Sequence, residues 1–312
     1  MATQQVFRLS QRTSIQDLKV LTEAVPEPAA HEVLIRIRNV ALNFRDYAVA
    51  TGQYPFPVKG DVIPGSDMAG EVVTSGSMVG GFSQGDKVIA SFDLNTLYGA
   101  VKDWHHSLGG CYDGVLREYI TLPSSVLVKV PTESRLSFAQ MSALVCTGTT
   151  AWNALYGNLP LKPGQVVLFL GTGGVSITGL ILAKAAGATT IITSSSDAKL
   201  KYWSEEVLKI TNGRGADDIL ENGGAGTISE SINAVAYGGS IAVIGFLATC
   251  AVVRGIMVGS KQQLEDVTRF VTSKNLSVPV EKEFGFSRDE AIAACKYMTS
   301  GQHVGKIRIT VS

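Results

Sequence analysis

The stretch 166–196 constrains this chain more than any other. It reads Val166-Val167-Leu168-Phe169-Leu170, then Gly171-Thr172-Gly173-Gly174-Val175-Ser176, then an apolar run to Gly187, then Thr189-Thr190-Ile191-Ile192-Thr193 and Ser194-Ser195-Ser196. That order predicts a strand, a glycine turn, a helix and a second strand. Glycines between a buried strand and a helix start have a physical job. Gly171 makes the tight turn, Gly173 and Gly174 admit the backbone close to a pyrophosphate, and the helix N-terminus presents free N–H groups. Gly171, Thr172, Gly173, Gly174 and Val175 are therefore expected to bind a dinucleotide. The plainer reading is a βαβ unit with an ordinary glycine turn.

The end of the second strand discriminates between dinucleotides. An acid about 20 residues past the glycines suits the ribose diol of NAD. Here Ser194, Ser195 and Ser196 stand there, followed by Asp197 as a helix N-cap and by Lys199 and Lys201. Hydroxyls beside a cation suit a 2′-phosphate, so NADP(H) is expected, with Ser194, Ser195 and Lys199 as its contacts. The plainer reading makes the serines a polar turn.

A length of 312 residues suits two domains. The 27 basic and 27 acidic residues cancel, which calls for neither a nucleic-acid nor a membrane-surface partner. No apolar run reaches the roughly 18 residues of a membrane span. The N-terminal segment lacks a secretory apolar region, and Cys111, Cys146, Cys250 and Cys295 form no Cys-x-x-Cys pair. Reduced thiols and a cytoplasmic location are expected.

The first third reads as short strands at 33–40, 70–74, 86–91, 116–122 and 126–130, separated by turns, which suggests a small β barrel. From Ser134 the pattern changes. Helices are expected at 140–145 (capped by Ser137), 150–156, 227–237, 262–273 and 289–298. Further strands are expected around Ile219 and Leu220 and at 240–244, 252–258 and 306–311.

Several segments together resemble the medium-chain dehydrogenases/reductases of the zinc-independent, quinone-oxidoreductase-like type. They are Ala41-Leu42-Asn43-Phe44-Arg45-Asp46-Tyr47, Ile63-Pro64-Gly65-Ser66-Asp67-Met68-Ala69-Gly70, Gly85-Asp86-Lys87-Val88, Asp113-Gly114-Val115-Leu116-Arg117-Glu118-Tyr119, Cys146-Thr147-Gly148-Thr149-Thr150-Ala151-Trp152, the glycine turn and Gly305-Lys306-Ile307. The resemblance implies an α/β fold in two domains. A GroES-like β-barrel catalytic domain would span 1–131 and 275–312, and a Rossmann-like doubly wound parallel sheet would bind the cofactor over 132–274, with a cleft between them. It also implies a small-molecule substrate and a homodimer.

Zinc members of that superfamily hold their metal with Cys or His in two first-domain loops and a Cys near the junction. Here those places offer Asn43 and Asp46, then Ser66 and Asp67, then Cys146; one thiol cannot close a tetrahedral site. His105 and His106 are expected on a polar loop. No metal is expected. A metal-free site favours acceptors that are already electrophilic, such as quinones and α,β-unsaturated carbonyls, with hydrogen-bond donors to hold the developing enolate. Asn43 is the first candidate donor. Tyr47 and Tyr54 are further catalytic candidates, and Arg45 could assist. Asn43 as a mere loop cap is the plainer alternative. Thr147, Thr150, Asn222, Gly245 and Phe246 are expected near the cofactor. An alcohol/aldehyde oxidoreductase, or a cofactor-binding protein with little catalysis, are the other readings.

Two pieces expected of the family are missing. No third-strand pattern lies between Leu200 and Leu208, although that strand would be a sheet edge and dispensable. Only about seven residues separate 240–244 from 252–258, too few for a parallel crossover. Either one segment is not a sheet strand, or the chain is interrupted near 250/251, with the same suspicion near 202/203.

Overall fold

The computed structural model describes residues 2–103, 105–193, 203–244, 254–256 and 258–311. Contacts divide the chain into two compact units, 1–146 with 260–312, and 147–259. The first unit opens with β1 (Thr3–Leu9) and β2 (Leu18–Ala24), an antiparallel pair. Then come β3 (Glu32–Ala41), α1 (Phe44–Ala50), β4 (Asp67–Ser75), β5 (Lys87–Ala90), β6 (Tyr119–Pro123), β7 (Leu127–Lys129) and α2 (Phe138–Ala143). A π-helical turn, Leu144–Gly148, follows α2.

The second unit holds α3 (Thr149–Tyr156), β8 (Val166–Phe169), α4 (Gly174–Ala185), β9 (Thr189–Ile192), α5 (Trp203–Ile210), β10 (Ala216–Glu221), α6 (Ile228–Ala234), β11 (Val235–Ile244) and β12 (Arg254–Ile256). The chain then returns to the first unit with α7 (Lys261–Ser273), β13 (Val280–Phe284), α8 (Arg288–Thr299) and β14 (Lys306–Thr310).

In the first unit a sheet runs β13-β14-β3-β4-β5-β7, with β6 also paired to β3. Strand β3 is central, flanked by β4, β6 and β14 with α2 packed against it, and it alternates as its sequence does: Ile35 and Ile37 are enclosed while Arg36 and Arg38 stay partly exposed. Residues 132–146 and 260–274 group with this unit, where the sequence expectation put them with the other. The reason is packing: α2 lies against β3 and β4, and α7 against β7.

The second unit is a five-stranded sheet, β12-β11-β10-β8-β9, with every neighbouring pair parallel. It has the doubly wound order with the third-strand edge absent among the described residues. Trp203 and Val207 of α5 pack into the core of Val166, Leu168, Leu170 and Ile219. Both 240–244 and 254–256 are sheet strands, paired Ala242↔Arg254 to Ile244↔Ile256. The alternative that one of them lies outside the sheet is therefore wrong. The helix expected to reach Tyr237 ends at Ala234, because Val235 already pairs with Ala216 of β10. Elements β1, β2, β13 and α1 had no expectation; their mixed polar sequences carry little period-2 or period-3.6 contrast.

Candidate functional site

Strand register assembles a polar cluster in the first unit. Ala41 of β3 pairs with Asp67 of β4, which brings Ser66 and Asp67 to the end of β3. Arg308 of β14 also pairs with Ala41. Continuing that antiparallel register two residues sets Lys306 opposite Asn43, and the Leu42 N–H accordingly donates to the Ile307 carbonyl at 3.1 Å.

The cluster is closely bonded. Lys306 Nζ donates to the Leu42 carbonyl at 2.7 Å and to Asn43 Oδ1, and stands 3.7 Å from Asp67 Oδ2. Asn43 Nδ2 donates to Ser66 Oγ at 3.3 Å, and the Ser66 hydroxyl donates to Asp67 Oδ1 at 2.6 Å. The Cys146 N–H, presented by the π-helical turn, donates to Asp67 Oδ2 at 3.0 Å. Asn43 and Lys306 are 9% and 4% exposed, while Ser66 and Asp67 are fully enclosed. The desolvation cost of a buried charge pair is offset only when such hydrogen bonds surround it.

Asn43 precedes α1, but its carboxamide does not cap that helix, being committed to Lys306 and Ser66. The cap runs the other way: Asp46 Oδ2 accepts the Asn43 N–H at 2.8 Å. Arg45 and Asp46 are also buried. The Arg45 guanidinium lies 5.0 Å from the Tyr54 ring and 4.8 Å from that of Phe92, donates to the Leu108 carbonyl at 2.8 Å, and is 3.5 Å from Asp46 Oδ1. Arg45 thus ties α1 to the loop around Leu108. Tyr54 belongs to this aromatic clamp, and burial raises its phenol above the ordinary value. Tyr47 is half-buried with its ring 6.2 Å from Phe44; among the described residues no hydrogen bond joins its hydroxyl to Asn43. Asn43, Ser66 and Asp67 are brought together, then, and Tyr47 is not joined to them.

Burial pushes the Asp46 carboxyl from 3.8 up to about 6, against the opposing pull of Arg45 and the Asn43 N–H. Below pH 4 the group is neutral folded and unfolded alike. Between 4 and 6 the folded state holds the proton that the unfolded state releases. Stability from Asp46 is therefore full at low pH and is lost as pH rises through about 6. Asp46→Asn is expected to flatten this slope, by at most about 3 kcal/mol between pH 4 and 7. Urea unfolding of both proteins across that range checks it, and parallel curves would refute it.

In the second unit the strand β8 ends at a cradle. Gly171 has φ +74°, a region that disfavours other residues, and its N–H bonds Thr193 Oγ1 at 3.2 Å. Gly173 is the N-cap of α4 and offers no side-chain cap. A Cβ on Gly171 or Gly173 would meet nothing within 4 Å. Open space before an uncapped helix N-terminus fits a pyrophosphate. Ser176 Oγ donates to the Leu170 carbonyl at 2.7 Å and accepts from Asn222 Nδ2 at 2.8 Å. Asn222 thus braces the turn with its amide. Thr147 and Thr150 are buried, at 4% and 2% exposure. Ser194, Ser195, Ser196, Lys199, Lys201, Gly245 and Phe246, with Asp197, lie outside the described residues.

Sequence reasoning missed three residues of these sites. Lys306 figured only within a motif. Glu221 is fully enclosed, accepting from the Gly223 and Gly224 N–H groups at 2.7 and 3.0 Å and from the Thr227 hydroxyl at 2.6 Å. Gly179 allows α4 to approach the sheet, for a Cβ there would come within 2.7 Å of the Phe169 ring. A lysine opening an apolar strand and an acid closing one were the available signals.

A resident zinc does not fit the first-unit cluster. Asn43, Ser66 and Asp67 are engaged with one another and with an ammonium group, and Cys146 is the single sulfur or imidazole donor among the expected positions. Among the described residues no three His, Cys, Asp or Glu side chains converge as a metal set. His105 and His106 instead pair with Asp103 at 3.4 and 3.1 Å. Among the described residues no helix is long and apolar enough to cross a membrane.

Residues 29–132 match the alcohol dehydrogenase GroES-like domain family, and 174–273 match the zinc-binding dehydrogenase family. A zinc-type alcohol dehydrogenase-like protein of Schizosaccharomyces pombe is 37% identical over 318 positions, covering 90% of this chain and 91% of its own. The acryloyl-coenzyme A reductase of Metallosphaera sedula is 32% identical over 243 positions, 70% of each chain. The crystal structure of a presumed alcohol dehydrogenase from Sinorhizobium meliloti 1021 superposes with a TM-score of 0.91 and 34% identity over all of both chains.

Proposed function

The chain belongs to the medium-chain dehydrogenase/reductase superfamily, a family of nicotinamide-dependent oxidoreductases, and from that premise we propose that it uses NADPH to reduce quinones or α,β-unsaturated carbonyl compounds without a catalytic zinc. The observation that carries this reading is the Lys306–Asn43–Ser66–Asp67 cluster. It offers a neutral hydrogen-bond donor and a buried cation where zinc-dependent relatives need sulfur and imidazole ligands. When bound, NADPH supplies the hydride. Asn43 donates to the carbonyl oxygen on which negative charge builds, and the uncapped start of α4 with Gly171 and Gly173 receives the pyrophosphate. Ser194, Ser195 and Lys199 select the 2′-phosphate. The Metallosphaera enzyme is named for an α,β-unsaturated thioester, and this chain is proposed to share that acceptor class. A cytoplasmic homodimer acting on a small molecule completes the reading.

The test is a titration with NADPH and NADH by nicotinamide fluorescence and thermal shift, followed by turnover of 1,4-naphthoquinone and an enone before and after exhaustive chelation. Tighter NADPH binding and chelator-resistant turnover are expected. A preference for NADH would overturn the cofactor assignment. Alcohol oxidation abolished by chelation would replace this reading with a zinc alcohol dehydrogenase. Binding of neither cofactor would leave a non-catalytic member of the fold.

A further inference from the structure

The hydrogen bonds of the buried cluster have a fixed direction. A lysine ammonium can only donate and an ionised carboxylate can only accept. Lys306 donates to Asn43 Oδ1, Asn43 Nδ2 to Ser66 Oγ, and the Ser66 hydroxyl to Asp67 Oδ1, while Lys306 Nζ and Asp67 Oδ2 stand 3.7 Å apart. Asn and Ser can each serve in either sense, so their polarity here is set by the charged groups at the two ends. The orientation of the Asn43 carboxamide follows: its oxygen must face Lys306. Its nitrogen then keeps one hydrogen for Ser66 and a second with no partner among the described residues.

We propose that Lys306 is a positioning residue that holds the Asn43 carboxamide in one orientation, so that position 43 offers an N–H and never a carbonyl oxygen to the acceptor. Resting on the functional reading above, this narrows the acceptor class to molecules that gain negative charge on an oxygen at this point, such as quinones and enones. An amide free to turn over would present its oxygen part of the time and repel that charge. Lys306 itself is enclosed, with its donors directed to Leu42, Asn43 and the vicinity of Asp67, and acts through Asn43.

The test reads the Asn43 amide directly. Full-length protein with 15N-labelled asparagine is compared with Lys306→Met and Ser66→Ala, the Asn43 signal being assigned by its disappearance in Asn43→Asp. In the parent protein the two Nδ2 hydrogens are expected to be inequivalent, one exchanging slowly with water and one quickly. Lys306→Met is expected to shift both and remove the slow exchange, and to lower quinone turnover about tenfold or more with the NADPH dissociation constant unchanged. Ser66→Ala is expected to remove the protection of one hydrogen only. Unchanged Asn43 signals in a folded Lys306→Met protein would overturn the proposal. Should that variant not fold, unchanged signals in Ser66→Ala would do the same. Altered signals in a protein whose parent turns over no quinone or enone would support the positioning and sink the functional reading alone.

Discussion

Asn43→Ala is expected to lower the turnover of a quinone or enone about 100- to 1000-fold, with the NADPH dissociation constant within about twofold of the parent. The size follows from the role proposed for the carboxamide. It is a preorganised donor, held by Lys306 and Ser66 and only 9% exposed, so it needs no reorganisation as charge develops on the acceptor. Removing one such donor from a water-poor site costs about 3–4 kcal/mol of transition-state stabilisation. Because the glycine turn proposed to hold the cofactor belongs to the other unit, binding and turnover should separate. The variant also leaves Lys306 with one acceptor fewer, so melting temperature is measured alongside to exclude unfolding as the cause. Stopped-flow hydride transfer at saturating NADPH is the decisive measurement, and a loss below about fivefold in a folded variant would remove Asn43 from the mechanism.

Gly173→Asp is expected to abolish useful NADPH binding, raising the dissociation constant about 100-fold, while leaving the unliganded protein as stable as before. The backbone at Gly173, φ −73° and ψ 175°, is open to any residue, and a Cβ there meets nothing within 4 Å. Aspartate is moreover a good N-cap and complements the positive end of α4. Folding therefore loses nothing. The same carboxylate would occupy and repel the site of the pyrophosphate, and a 100-fold change corresponds to about 2.7 kcal/mol. Gly179→Ala is the opposite case, since its Cβ would fall 2.7 Å from the Phe169 ring and damage packing before binding. Fluorescence titration and thermal melts of Gly173→Asp check the pair of expectations. A destabilised protein with intact binding would mean that the cradle serves the fold and not the cofactor.

Local features were legible because their causes are local. The glycine turn was readable because a buried strand, a left-handed glycine and a helix start must follow one another within a few residues. Ser137 capping the helix that starts at Phe138 was readable because a capping box spans only four residues, here Ser137 to Gln140. The boundaries that slipped did so where tertiary pairing overrode local preference. Val235 left its helix to pair with Ala216 of β10.

The sequence by itself determined the two-unit α/β architecture, the family and the glycine turn between β8 and α4, since each rests on short-range pattern or on contiguous motifs. Only the tertiary structure decided what Asn43 is bonded to. Its partner Lys306 lies 263 residues away, and the two meet because β14 pairs antiparallel with β3 in one register. A slip of one residue would have turned Lys306 to the opposite face of the sheet. Periodicity within a strand says which side chains share a face. It does not say which strand lies alongside or in what register, so the buried cation that orients Asn43 became visible only once the sheet was assembled.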